Sequence, residues 1–325
     1  MILQVRNIET TFRTRSGVVH AVNGVSFDVP AGGFVGIVGE SGSGKSVTIN
    51  TILGLIRSVR TRSSGTAMFE GGDLVSMRSR DLRRLRGARI GFIAQNPFGA
   101  LNPVIPISRQ FENVVRAHTR LDRKAIRLRA LQMLDKVGIR QPERVLDGYA
   151  HELSGGMAQR VVIAIALMLD PALIVADEPT TALDMTVQKQ IMELISELAR
   201  ERGTSMVIVT HDLGVVANYC DNVVVMYCGR VMEDGPVGEV FARPFHPYTS
   251  ALLRSVPRPG QELETLPGKL PPLNAEPRGC LFRDRCVHRM SVCETQTPPL
   301  REVASGRNVA CHLAIEKKVP AIAAG

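Results

Sequence analysis

The chain has 325 residues, 44% of them hydrophobic, and a net charge of +9, which suits a large domain with a substantial core plus an appendage. Its longest apolar run, Val161 to Leu169, is closed by Asp170-Pro171 and falls short of the ~18 residues that a membrane span requires. Met1-Ile2-Leu3-Gln4-Val5-Arg6 lacks the basic-then-apolar form of a signal peptide, so a cytoplasmic location is expected, with the cysteines as thiols or metal ligands rather than disulfides.

Residues 1–30 read as strands with turns. Ile2, Val5 and Ile8 lead in, and Val18 to Val29 forms a second β segment ending at Pro30-Ala31-Gly32-Gly33. Phe12 falls in the connection between them, where an aromatic ring either packs or stacks on a purine. Phe34-Val35-Gly36-Ile37-Val38 then reads as a buried strand, and Gly39-Glu40-Ser41-Gly42-Ser43-Gly44-Lys45-Ser46 follows it at once. That stretch fits the phosphate-loop pattern G-x-x-x-x-G-K-[ST]. Gly39, Gly42 and Gly44 let the backbone N–H groups of the loop, Ser41 and Ser43 included, turn inward toward an anion. Lys45 can reach the terminal phosphates and Ser46 can ligate Mg²⁺. Ile49, Ile52, Leu53 and Ile56 predict a helix packed on the sheet behind the loop. This stretch predicts a nucleoside triphosphate site.

Arginines crowd the segment from Arg57 to Arg89, including Arg78, Arg80, Arg83, Arg84 and Arg86. They read as a solvated helix face, or as a surface for nucleic acid or an anionic membrane. The lack of an aromatic residue between Arg78 and Arg86 weakens base stacking as their purpose. Ile90 to Ala94 predicts a strand that puts Gln95 at its end, able to touch Mg²⁺ or an attacking water. Residues 108–138 read as helical, with Leu128, Leu131, Leu134 and Val137 at helical spacing.

Ser154 is a natural N-cap before a helix running through 161–169, and Gly155 and Gly156 expose N–H groups at its positive end. This second anion site suits a nucleotide held by another subunit. Leu173 to Ala176 predicts a buried strand delivering Asp177, to hold Mg²⁺, and Glu178, to polarise the attacking water. Ala182-Leu183-Asp184 turns into a helix with Ile191, Leu194, Ile195 and Leu198 on one face. Met206 to Val209 predicts a last strand, and His211 at its end can contact the γ-phosphate.

Taken together, these motifs resemble the ATP-binding subunits of ABC transporters. The phosphate loop, Gln95, Leu153-Ser154-Gly155-Gly156, the strand ending at Glu178, Asp184 and His211 stand in that family's order, over roughly residues 1–240. The resemblance implies an α/β fold: a P-loop NTPase (RecA-like) core with an antiparallel β subdomain and a helical subdomain, plus a C-terminal cysteine-containing extension. It implies an ATP-binding domain over 1–242, its helical subdomain at about 96–157 receiving the permease, and an extension over 243–325. It also implies head-to-tail pairing of two such domains, with ATP between Lys45 of one and Ser154 of the other. Phe12 would stack on adenine, Gln95 would sense the γ-phosphate, and Asp184 would line the nucleotide. Two departures, Gly33 for a common glutamate and Asn96 for a common aspartate, leave the catalytic set intact.

Beyond residue 240, Phe245-His246-Pro247-Tyr248 to Leu253, Leu266-Pro267-Gly268 and Gly279-Cys280 to Cys286 narrow the likeness to the oligopeptide/dipeptide permease branch. The proline-rich 256–277 reads as an ordered wrap or linker. Cys280, Cys286, Cys293 and Cys311 lack a C-x2-C knuckle; an iron–sulfur (4Fe–4S) cluster, which this branch is thought to carry, is the expectation, with zinc or four structural thiols as alternatives. Cys220 and Cys228 read as core residues. The expected function is ATP-driven import of dipeptides or oligopeptides, as a peripheral subunit on the cytoplasmic face of the inner membrane. Expected partners are two transmembrane permease subunits, a second ATP-binding subunit, identical or paralogous, and an extracytoplasmic peptide-binding protein. Import of nickel or glutathione on the same scaffold, or action on nucleic acid, are the competing readings. The single phosphate loop and the short insertion before Ser154 count against the last.

Overall fold

Twelve strands gather into two sheets in the computed structural model, which describes residues 1–181, 184–257, 266, 268–272, 274 and 277–315. In chain order they are β1 (Leu3–Thr14), β2 (Gly17–Val29), β3 (Phe34–Val38), β4 (Thr61–Phe69), β5 (Gly72–Asp73) and β6 (Ile90–Ile93). Then follow β7 (Leu173–Asp177), β8 (Ser205–Thr210), β9 (Asn222–Tyr227), β10 (Arg230–Pro236), β11 (Arg301–Ala304) and β12 (Arg307–Val309). An antiparallel sheet has the order β2-β1-β4-β5. A larger sheet has the order β11-β12-β10-β9-β3-β8-β7-β6, with β9, β3, β8, β7 and β6 parallel and the other three antiparallel.

The parallel strands are short apolar runs because both of their faces are covered. Side chains alternate between two cores along each of them. Ile174 and Ala176 of β7, with Met206 and Ile208 of β8, face a core made with the helices between Ile107 and Leu167. Leu173, Val175, Val207 and Val209 face the other way, onto the antiparallel sheet and the helix Lys45–Ile52. Gly36 in β3 makes room for the helix Leu213–Tyr219: a Cβ there would lie 2.7 Å from a methyl of Val216. The fold is therefore α/β, with a parallel core, an antiparallel sheet and a group of helices between β6 and β7, as expected.

Three local expectations change. Phe12 lies within β1, opposite Val19 and Thr61, not in a connection, because β1 runs on to Thr14 before it turns. The helix after the phosphate loop stops at Ile52, since Gly54 takes a left-handed φ of 64°, and Ile56 falls outside it. The long helix over 108–138 is two, Ile107–Arg116 and Arg123–Lys136, because the Asp122 carboxylate accepts the Ala125 N–H at 2.7 Å and starts a new one. Leu128, within the second helix, faces solvent. Among the described residues no helix is long and apolar enough to cross a membrane.

Residues beyond 242 rejoin the large sheet. Glu233 and Asp234 of β10 pair with Val309 and Asn308 of β12. At this seam Arg307 donates to Glu233 at 2.9 Å, with the Glu233 side chain wholly buried and that of Arg307 5% exposed. Glu233 also accepts the N–H groups of Phe245 and His246, both at 2.9 Å. Burial nevertheless pushes its carboxyl above the usual range, so the pair is held at the cost of desolvation. A neighbouring aromatic cluster closes the same region. The ring centroids of Tyr227 and Tyr248 are 4.8 Å apart, and Phe282 lies 5.4 Å from each.

Arg307→Met leaves Glu233 buried without its cation. It is expected to lower stability by about 3–5 kcal/mol, read by urea denaturation, and the paired Glu233→Gln/Arg307→Met variant should recover much of that loss.

Candidate functional site

The carboxyl ends of β3, β6, β7 and β8 deliver the expected residues to one edge of the sheet. After β3 the loop Gly39–Ser46 wraps back on itself. Gly39, Gly42 and Gly44 have φ of 153°, 78° and 94°. A Cβ on Gly39 would lie 2.1 Å from the Met226 carbonyl, and one on Gly44 would lie 2.6 Å from that of Ala21. Only glycine permits these approaches. Ser43 is fully buried and its carbonyl accepts the Gly229 N–H at 2.8 Å, while the helix Lys45–Ile52 starts directly behind. The Lys45 ammonium is folded into the loop, donating to the carbonyls of Gly39 at 2.8 Å and Glu40 at 3.0 Å, with the Ser43 hydroxyl at 3.4 Å. Burial lowers its pKa against the opposing pull of Glu178, Asp177 and Glu40. Such a cation, capped only by dipoles, is ready to exchange carbonyls for phosphate oxygens.

β7 ends on the two acids. The Ser46 hydroxyl donates to Asp177 Oδ1 at 2.8 Å, joining the loop to β7. Burial, opposed by the Ser46 bond and reinforced by the charge of Glu178, raises the Asp177 carboxyl above its usual range. A hydroxyl beside a buried carboxylate short of positive charge is an oxygen donor set that fits a hard cation such as Mg²⁺.

Glu178 stands one residue beyond the strand in a left-handed conformation, φ 47°, held by its N–H to the Val209 carbonyl at 2.8 Å. Three side chains converge on its carboxylate. Gln95 Nε2, just past β6, donates to Oε2 at 2.9 Å; the Thr181 hydroxyl donates to the same oxygen at 2.8 Å; His211 Nδ1, just past β8, lies 3.4 Å from Oε1. Burial would raise the Glu178 pKa, but the bonds from Thr181 and His211 and the charges of His211 and Lys45 hold it below the usual carboxylate range. Glu178 is thus an ionised, aimed carboxylate. Ser46 on Asp177, and Gln95, Thr181 and His211 on Glu178, thus gather at two consecutive residues, with Lys45 close enough to feel the charge of both acids.

Among the described residues, Ser154, Gly155, Gly156 and Phe12 make no hydrogen bond to these side chains. Ser154 is exposed and caps the helix Gly155–Leu167 through the Met157 N–H at 3.3 Å. Asp184, also exposed, caps the helix Met185–Glu201 through the N–H groups of Thr186 and Val187. Ala182 and Leu183 of the same turn lie outside the described residues, as does much of 256–277 with Pro267. Sequence reading passed over Thr181, whose hydroxyl position three residues after Glu178 is a recognisable turn signal. It also passed over Tyr248 and Arg285, which reach the phosphate loop from the far end of the chain.

The iron–sulfur expectation fails. Cys280, Cys286, Cys293 and Cys311 line one cavity of ≈ 10 Å³, about the room of one water, beside the buried His246 and Phe282. No group of three His, Cys, Asp or Glu side chains among the described residues is placed to hold a metal ion. Burial pushes the Cys280 thiol up to about 11 and raises Cys286 and Cys311 as well, as for thiols packed in an apolar core. They pack as thiols. Cys228 is likewise buried, and Cys220 is half-buried with its thiol pushed up to about 12.

Comparison with known proteins follows the same lines. The profile described as ABC transporter matches residues 22–181, and that of the oligopeptide/dipeptide transporter C-terminal region matches 232–293. A probable peptide ABC transporter ATP-binding protein of Sinorhizobium fredii is 45% identical over 316 residues, 96% of this chain and 94% of that one. The oligopeptide transport ATP-binding protein OppD of Salmonella typhimurium is 44% identical over 320 residues, 98% and 95% of the two chains. Among solved structures, a dimeric ATP-binding cassette in a post-hydrolysis state with ADP and Pi superposes with a TM-score of 0.65 at 30% identity. The superposition covers 72% of this chain and 98% of that one.

The loop geometry makes a contrast between two glycines. Gly44→Ala drives a methyl against the Ala21 carbonyl and is expected to cost about 1–3 kcal/mol of stability and to weaken ATP binding. Gly71→Ala, at φ 80° but with nothing within 4 Å of the new methyl, should leave ATP binding at its wild-type strength, both variants being read by fluorescence titration with ATP.

Proposed function

The chain belongs to the ABC transporter family as one of its ATP-hydrolysing subunits, and we propose that it powers the import of dipeptides or oligopeptides. The observation that carries the chemistry is the convergence of Gln95, Thr181 and His211 on the one carboxylate of Glu178, next to the Ser46–Asp177 pair. Lys45 and the loop N–H groups bind the phosphates, and the helix behind them adds partial positive charge. Ser46 and Asp177, with Gln95, would hold Mg²⁺, which would supply neutralisation of phosphate charge. Glu178 is the general base. It takes the proton of a water whose oxygen forms the new bond to the γ-phosphorus, the bond to the β-bridging oxygen breaks, and ADP leaves with that electron pair. Gln95 orients the water and Glu178, and His211 contacts the γ-phosphate while steadying the same carboxylate. Phe12 stacks on adenine.

Ser154 is exposed at the start of its helix, ahead of the half-buried Gly155 and Gly156, and caps that helix rather than bonding Glu178 or Asp177. This supports these three serving the nucleotide of a second ATP-binding subunit, with Asp184 at the same junction. Helices between residues 96 and 157 receive a permease, and the subunit works peripherally on the cytoplasmic face of the inner membrane. The likeness of the whole chain to peptide-transport subunits favours peptide over nickel or glutathione as cargo.

Glu178→Gln keeps the size and the partners of the side chain but removes the base. ATP hydrolysis should fall by about 10²–10⁴ while ATP still binds, and size-exclusion chromatography with ATP and Mg²⁺ should show a trapped dimer, alone or with a paralogue. Near-normal turnover would take Glu178 out of the base role.

The partner reading has its own test. ATPase activity of the assembled complex should rise with the permease pair present and rise again with peptide-loaded binding protein. Single- and double-stranded nucleic acid should bind weakly and with a steep salt dependence; tight, structure-selective binding at physiological salt would replace the transport reading.

A further inference from the structure

The phosphate loop contains one acidic residue, Glu40, and it is held from the C-terminal region. Arg285 lies in a single turn of 3-10 helix, Arg283–Arg285, with its side chain 4% exposed. Its guanidinium grips the Glu40 carboxylate by two bonds, Nη1 to Oε2 at 2.7 Å and Nη2 to Oε1 at 3.1 Å, across 245 positions of sequence. Tyr227 fixes the guanidinium from the side, its hydroxyl 3.3 Å from Nη1. The carbonyl of Leu266 accepts from Nη2 at 3.5 Å. A second clamp acts on the loop backbone: Glu40 N–H donates to the Tyr248 hydroxyl at 3.0 Å. Tyr227, Tyr248 and Phe282 form the aromatic cluster described above, so both clamps share one buried support. Glu40 is also the residue whose carbonyl receives Lys45.

A carboxylate inside a loop that binds a polyanion opposes its ligand. The bidentate pairing with a buried arginine removes that opposition and fixes the loop at the same time. We propose that Arg285 is a positioning residue of the nucleotide site. Acting through Glu40, it cancels the negative charge of the phosphate loop and holds the loop in the form that accepts phosphate, so the C-terminal region sets the affinity for ATP. This rests on the loop being the ATP site.

The test uses the full chain with Arg285→Met, Arg285→Lys, Glu40→Gln and Glu40→Gln/Arg285→Met, alongside Lys45→Ala. ATP, ADP and adenosine binding are titrated, and KM and kcat are measured. With Arg285→Met the affinity for ATP should fall about 10- to 100-fold, within the range typical of coupled sites, with kcat far less affected. The loss should shrink from ATP to ADP and vanish for adenosine. Glu40→Gln/Arg285→Met should regain most of the ATP affinity, because without the carboxylate there is no charge to cancel. A purely structural arginine predicts no such rescue and an equal loss for all three ligands, and either result overturns the proposal. If Arg285→Met does not fold, Arg285→Lys decides: charge kept and the fork lost should cost several-fold in ATP affinity, and an unchanged affinity overturns the role. Wild-type protein that binds ATP no better than Lys45→Ala would instead overturn the reading of the loop itself.

Discussion

The nucleotide site depends on strand register. In the large sheet Val38 pairs with Thr210, Val209 with Asp177, and Ala176 with Ile93, so these parallel strands end within two residues of one another. Gly39, His211 and Glu178 follow those ends directly and Gln95 follows one residue later, on neighbouring strands spaced about 4.8 Å apart. β7 lies between β6 and β8, which puts Glu178 between Gln95 and His211. Because side chains alternate along a strand, a slip of one residue would turn Asp177 and every core contact of β7 to the wrong face. The apolar alternation that packs the two cores is thus the same constraint that aligns Gln95, Glu178 and His211.

Much of this was legible in the sequence where the chemistry needs contiguous residues. A phosphate loop must be a run of eight with glycines at set places, and Asp177-Glu178 must end an apolar strand; both signals are local. Register turned those separate signals into a site without further help from sequence. The misreadings have local causes too. Phe12 was put in a turn because β1 alternates weakly beyond Ile8, where pairing with both β2 and β4 keeps it extended. The helix over 108–138 hid its break because Thr119 to Asp122 holds neither glycine nor proline, and only the capping carboxylate of Asp122 reveals it.

The C-terminal region was read less well, for a different reason. Four cysteines in a short span suggest a metal, but cysteine is also one of the residue types most often buried as a small apolar group. Here Cys280 and Cys293 join the core that contains Tyr227, Tyr248 and Phe282. What the region contributes beyond packing, the contacts of Arg285 and Tyr248 with the phosphate loop, spans more than 200 positions of sequence and leaves no local trace. A pairing of that range is set by the folded surface alone.

The late hairpin has a consequence for biosynthesis. β10 exposes one hydrogen-bonding edge until β12 arrives, and Arg307 is 74 positions downstream of its partner Glu233. On a ribosome adding about 5–20 residues per second, the rest of the sheet can assemble seconds before that edge is covered. During this interval the nascent chain carries an open strand edge and an acid destined for burial with no counterion. An open edge is a template for pairing with other chains; the buried acid works against that, since it resists desolvation until its own arginine emerges. The sheet and its buried ion pair are thus completed together, by one late hairpin.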